Sequence, residues 1–156
     1  RRNLAEKLGA NITLDPNNLD TGLEIKLATD KRGVDVAIEL SGSYKALHQA
    51  IRGTRYGGKV VPASFYCGEA RDLNLGKEWH FNRHTMISGA RVESEPYRDY
   101  PLWDRDRIYK TVVGLFQGKN LNVDDFLHVV SFDDAVAAYR ELTNNPNKWI
   151  KLAVRY

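Results

Sequence analysis

The chain has 156 residues, with 42% hydrophobic and 28% charged side chains and a formal net charge of +3. That is long enough to bury a core and ordinary for a water-soluble fold. No apolar run approaches the roughly 18 residues a membrane span needs. The basic residues alternate with acids, as in DRDR at 104–107, which makes a solvated face and not a nucleic-acid stripe.

The opening RRNLAEKLGA is a charged amphipathic helix with no apolar stretch behind it, so the expectation is a cytoplasmic protein with no membrane partner. Residues 1–8 carry Leu4, Ala5 and Leu8 on one face, and Gly9 suits the stop. A short strand is expected at 11–14, closed by Asp15-Pro16. A helix over about 19–30 follows, with Asp20 as N-cap and Leu23, Leu27 and Ala28 as its apolar face. VDVAIELSG at 34–42 has the near-continuous apolar character of an inner parallel strand. Residues 43–53 form a helix with Tyr44, Leu47 and Ile51 in register, Gly57-Gly58 a turn, and KVVPAS at 59–64 the next strand. Pro62 lacks a ladder donor, which predicts a bulge or an unpaired position.

A strand–helix–strand unit of this kind places its two strands parallel in one sheet. A further strand is expected at 84–92, and ESEPYRDYP at 93–101 is the expected internal boundary. Beyond it come a helix at 104–117, a strand in FLHVVSF, and a helix capped by Ser131 with Phe132, Ala135, Val136, Tyr139 and Leu142 buried. A last strand is read in WIKLAVRY.

The order of these signals is specific: AEKLGA, a short strand ending in DP, RGVDVAIELSGS, YGGKVVPAS and, much later, VVSFDDAVAAYRELTNNPNKWIKLAVRY. Together they resemble the medium-chain dehydrogenase/reductase family, zinc-type alcohol dehydrogenases in particular, across essentially the whole chain. LGKEWHFNR at 75–83 and PLWDRDRI at 101–108 are similar to a subgroup of bacteriochlorophyllide-type and polyol dehydrogenases. The resemblance implies an α/β fold: an incomplete Rossmann-type doubly wound parallel sheet over 1–92, and a C-terminal helix–strand segment at 93–156 that returns to the junction with the catalytic domain.

It also implies an NAD(P)-dependent oxidoreductase acting on a small alcohol or polyol, with NAD and NADP both open. The family's G-x-G-x-x-G phosphate loop is expected upstream of Arg1, because GTRYGG at 53–58 follows a helix and has the wrong spacing. The resemblance places zinc in a catalytic domain outside these residues. His48, His80, His84, His128 and Cys67 have no usable ligand spacing apart from His80 and His84, so no metal site and no catalytic residue is assigned here. Cys67, the sole cysteine, also excludes an internal disulfide.

Ten positions match the family's cofactor contacts. Arg1 corresponds to a basic residue beside the adenosine ribose. Leu40, Ser41 and Gly42 end one strand, where open parallel sheets bind ligands. Ala63, Ser64 and Phe65 end the next and correspond to backbone contacts to the nicotinamide carboxamide, with Gly89 and Ala90 as the second such contact. Lys151 corresponds to a residue reaching the pyrophosphate. His80, Asn82 and Arg83 form a polar cluster implied to lie at the substrate side or at a subunit contact.

By this reading the chain contributes nicotinamide-side cofactor binding and is inactive by itself. The strand VDVAIEL is left as an open edge, and a homodimer through a sheet edge is expected, with 84–92 as the pairing strand. The alternative is a non-catalytic nucleotide-binding or interaction module. A methyltransferase-like α/β domain fits less well, since its own glycine loop is equally lacking.

Overall fold

The computed structural model describes residues 1–89 and 103–156. They divide into two compact units, one of residues 14–105 and the other of 1–13 with 106–156. The expected boundary at 92/93 and the contact Ala90 lie outside the described residues.

Residues 11–14, where the chain passes from the smaller unit to the larger, do not form the expected strand. A strand needs a neighbour for its N–H and C=O groups, and no ladder partner for this segment exists among the described residues. After α1 (Arg2–Lys7), which belongs to the smaller unit, comes α2 (Thr21–Leu27), shorter than expected and capped as expected, with the Asp20 carboxylate accepting from the Leu23 amide. Its packed face is not the expected one. Leu23 and Leu27 are exposed, whereas Gly22 is buried and Ile25 packs on Gly53. Gly22 decides this rotation: a Cβ there would come within 2.8 Å of the Arg52 Cβ and of Gln49 Oε1 on the neighbouring helix.

β1 (Val34–Glu39), α3 (Tyr44–Gly53) and β2 (Thr54–Pro62) form the expected strand–helix–strand unit, with β1 and β2 parallel. Ser43 caps α3 by accepting from the Ala46 amide. Leu47 and Ile51 from α3 and Val60 from β2 are the buried centre, with Tyr66, Leu73, Trp79 and Met86 packed around them. β2 begins earlier than expected and runs through the Gly57-Gly58 turn as a bulge: Val34 faces Thr54 but Val36 faces Lys59.

α4 (Glu78–Phe81) leads to β3 (Thr85–Met86), giving the parallel order β1-β2-β3. Among the described residues β3 covers far less of the strand expected at 84–92, of which 90–92 lie outside them. Pro62 supplies the reason. Along a parallel strand, every second residue turns both its N–H and C=O to the same neighbour. Pro62 accepts from Gly89 on the β3 side but has no N–H to give back there, so the ladder stops at Met86 although the Ile87 and Gly89 amides still reach β2.

In the smaller unit, α5 (Arg105–Gln117) precedes β4 (Leu127–Ser131), α6 (Ala135–Asn144) and β5 (Lys151–Arg155). β4 and β5 pair in parallel. Ser131 is the expected cap of α6, but the N-cap lies three residues later at Asp134, whose carboxylate is held by the Ser131 hydroxyl. Ala138 is buried, while Phe132, Val136 and Tyr139 are exposed, contrary to the expected face.

Candidate functional site at the carboxyl ends of the parallel strands

The carboxyl ends of β1 and β2, together with Gly89 beyond β3, bring seven of the ten expected cofactor positions together. Ala63 donates to the Glu39 carbonyl at 2.8 Å and Gly89 to the Pro62 carbonyl at 2.9 Å, so the three chain segments leave the sheet side by side. Gly42 lies against the β2 exit. It has φ +73°, and a Cβ there would stand 2.5 Å from the Phe65 carbonyl oxygen and 3.1 Å from Ser64 Oγ. Only glycine combines that backbone conformation with so close an approach. Gly89 is closed in the same manner, with Val61 Cγ1 2.8 Å from its Cβ position.

Two apolar side chains stand open at this end, Leu40 at 72% and Phe65 at 83% exposure. A flat apolar ring carrying a carboxamide needs apolar faces to lie on and backbone groups to hydrogen-bond. Leu40, Phe65 and the backbone at 63–65 offer that chemistry. The residues therefore fit a nicotinamide. They do not fit zinc: among the described residues no three His, Cys, Asp or Glu side chains are grouped closely enough to hold a metal ion.

Two residues that the sequence reading did not single out organise this end. Glu39, the last residue of β1, is only 5% exposed. One carboxylate oxygen accepts from the Ser41 amide at 2.7 Å and from the Ser41 hydroxyl, and the other accepts from the Gly42 amide at 3.1 Å and from the Tyr66 hydroxyl. Burial by itself pushes the Glu39 carboxyl up. The hydrogen bonds from Ser41, Tyr66 and Gly42 outweigh it and hold the group below its ordinary value. Burial, and then the Glu39 charge, push the Tyr66 phenol well above its ordinary value, so it stays a donor. Tyr66 also packs its ring on Tyr44 at 5.1 Å. A glutamate as the last residue of β1, directly before Leu40-Ser41-Gly42, was the available signal.

The remaining expected positions lie elsewhere. Arg1 and Lys151 belong to the other compact unit. Arg1 donates to the Pro146 carbonyl at 3.3 Å, and Lys151 is an exposed residue of β5 opposite Leu127. His80, Asn82 and Arg83 stand at the amino end of β3, the opposite end of the sheet from Gly89. There His80 meets Phe81 edge-on, the Asn82 carbonyl accepts from the Gly57 amide at 2.7 Å, and Arg83 holds φ +50°.

The profile of the zinc-binding dehydrogenases matches residues 1–104. The chain belongs to this family. It is 39% identical over its full length to D-guloside 3-dehydrogenase of Escherichia coli K12, of which it covers 45%. It is 32% identical to L-threonine 3-dehydrogenase of Pyrococcus furiosus over 81% of the chain and 33% of that enzyme. Its fold matches that of 2R,3R-butanediol dehydrogenase from Bacillus subtilis with a TM-score of 0.72 and 26% identity, covering 97% of the chain and 40% of the solved one. Benzyl alcohol dehydrogenase of Acinetobacter calcoaceticus shares the fold with a TM-score of 0.75. The chain thus spans less than half the length of these dehydrogenases, and it corresponds to the C-terminal, nucleotide-binding-domain part of the zinc type. No helix among the described residues is long and apolar enough to cross a membrane.

Proposed function

We propose that this chain supplies the nicotinamide side of the cofactor site in a cytoplasmic NAD(P)-dependent dehydrogenase acting on a small alcohol or polyol, and that it is inactive by itself. Leu40, Ser41, Gly42, Ala63, Ser64, Phe65 and Gly89 would hold the nicotinamide ribose and carboxamide, with Ala90 continuing that contact. The observation that carries the reading is the convergence of three strand exits with exposed Leu40 and Phe65 above them.

When bound, the nicotinamide supplies the hydride acceptor. The protein's share at these residues is to fix which ring face is presented and to keep water from the other face. Zinc, as in the family, would act from residues outside this chain. His80, Asn82 and Arg83, at the amino end of the sheet, are proposed as subunit-contact residues of a homodimer built through the sheet edge.

Titrating the isotope-labelled chain with nicotinamide mononucleotide tests the reading. Amide shifts confined to 40–42, 63–65 and 89, together with no alcohol oxidation when NAD(P) is added, would support it. Shifts confined to the smaller unit, or none at millimolar ligand, would refute it.

A further inference from the structure

The buried carboxylate at the end of β1 has no capacity left for chemistry. An ionised carboxylate offers about four acceptor positions. Glu39 receives four donors: the Ser41 amide, the Ser41 hydroxyl, the Gly42 amide and the Tyr66 hydroxyl. A general base needs a free lone pair directed at substrate, and Glu39 has none, so its function is not proton transfer. Its four donors come from two different strand exits. Ser41 and Gly42 follow β1, while Tyr66 follows β2. The same two exits touch at Gly42, whose Cα hydrogen faces the Phe65 carbonyl in a space too small for a methyl group.

We infer that Glu39 is a positioning residue, a fixed anionic latch that ties the β1 exit to the β2 exit through Tyr66 and so sets the backbone of Ser41 and Gly42 against that of Ala63 to Phe65. The inference rests on the proposed nicotinamide reading for its consequence, but the latch itself can be measured without ligand. Charge is essential to it. In Glu39→Gln the side-chain amide turns an NH2 group toward at least two donors that already point inward, so the loop must open or the donors lose their acceptor. Tyr66→Phe removes one donor and leaves the carboxylate in place.

The test is a two-dimensional amide spectrum of the full chain with and without nicotinamide mononucleotide. In the wild type, the Ser41 and Gly42 amides stand downfield and titrate together, with a midpoint below the usual carboxylate range. In Glu39→Gln that titration disappears and mononucleotide affinity falls about tenfold. In Tyr66→Phe the midpoint moves upward toward the usual range and affinity falls about fivefold. Affinity in the wild type weakens as pH drops through the same midpoint, and in Glu39→Gln it does not.

If Glu39→Gln does not fold, Tyr66→Phe and the wild-type titration decide the matter. Ser41 and Gly42 amides that fail to follow a carboxylate titration, or a Tyr66→Phe variant with unchanged midpoint and affinity, would overturn the latch. A mononucleotide that leaves the wild type unperturbed while the two amides still titrate would instead refute the nicotinamide reading and leave the latch standing.

Discussion

The two ends of the three-stranded sheet bury ionisable groups to nearly the same depth and treat them in opposite ways. At the carboxyl end, Glu39 is 5% exposed and fully supplied with donors. At the amino end, His84 is 8% exposed, and neither ring nitrogen has a hydrogen-bond partner among the described residues, nor has Glu78 Oε2. Backbone groups of Thr54 and Arg55 and the charges of Lys26 and Glu78 act on the His84 ring. Lys26 spends its ammonium on the Thr54 and Arg32 carbonyls, while Arg52 bridges Asp20 at 2.6 Å and Glu78 at 3.2 Å. One end is therefore organised around a fixed negative charge. The other is held by ion pairs at its rim and a histidine that burial keeps neutral. Satisfied polar groups give a loop one geometry, which is what the proposed cofactor end requires.

Both ends hang on the same core, so the largest effect comes from breaking it. Ile51 is fully buried, and Ile51→Ala should lower unfolding free energy by about 3 kcal/mol. Urea unfolding checks this, and a loss under 1 kcal/mol would mean that the two ends do not share that core. Next is Gly42→Ala, which adds a Cβ 2.5 Å from the Phe65 carbonyl at φ +73°. A cost of about 2 kcal/mol is expected, with amide shifts confined to the carboxyl end. Arg52→Ala should disturb only the amino end, by about 1 kcal/mol after allowing for the partial exposure of its partners.

The smallest effects are the pH slopes, and they separate the two ends. Burial lowers the His84 pKa from 6.5. The stability this confers is present above 6.5 and lost as pH falls toward the lowered value, and His84→Phe should erase that slope. Glu39 acts further into acid. Its stabilisation is intact above 4.5 and lost as pH falls through its own lowered value. Two acid steps in the wild type, each removed by one substitution, would confirm the contrast, and a single step insensitive to both would break it.

Much of the larger unit was legible in the sequence because local signals and packing agree there. Ser43 caps α3, Leu47 and Ile51 point inward, and β1 pairs in parallel with β2, all as the pattern indicates. Legibility failed where one residue overrode a pattern. Gly22 turned α2 so that Ile25, not Leu23, packs inward, and Pro62 ended the β3 ladder at Met86. The open edge expected of VDVAIEL is found, and it exposes apolar side chains that the composition of the strand marks as interior. Among the described residues β1 pairs only with β2 and leaves Val36 49% and Ile38 63% exposed. At the site, strand ends can be located from sequence, so Ser41, Gly42 and Ser64 could be named. The role of Glu39 depends on Tyr66, 27 residues away, and no local pattern connects the two.

The strand exits of this chain are proposed to hold a nicotinamide. A co-crystal structure of the chain with nicotinamide mononucleotide tests it most directly. The carboxamide is expected to hydrogen-bond to backbone groups within 63–65 and at 89, with the ring over Leu40 and Phe65 and the Glu39 carboxylate still holding Ser41, Gly42 and Tyr66. A ring bound at the amino end of the sheet, or a carboxamide turned away from 63–65, would contradict it.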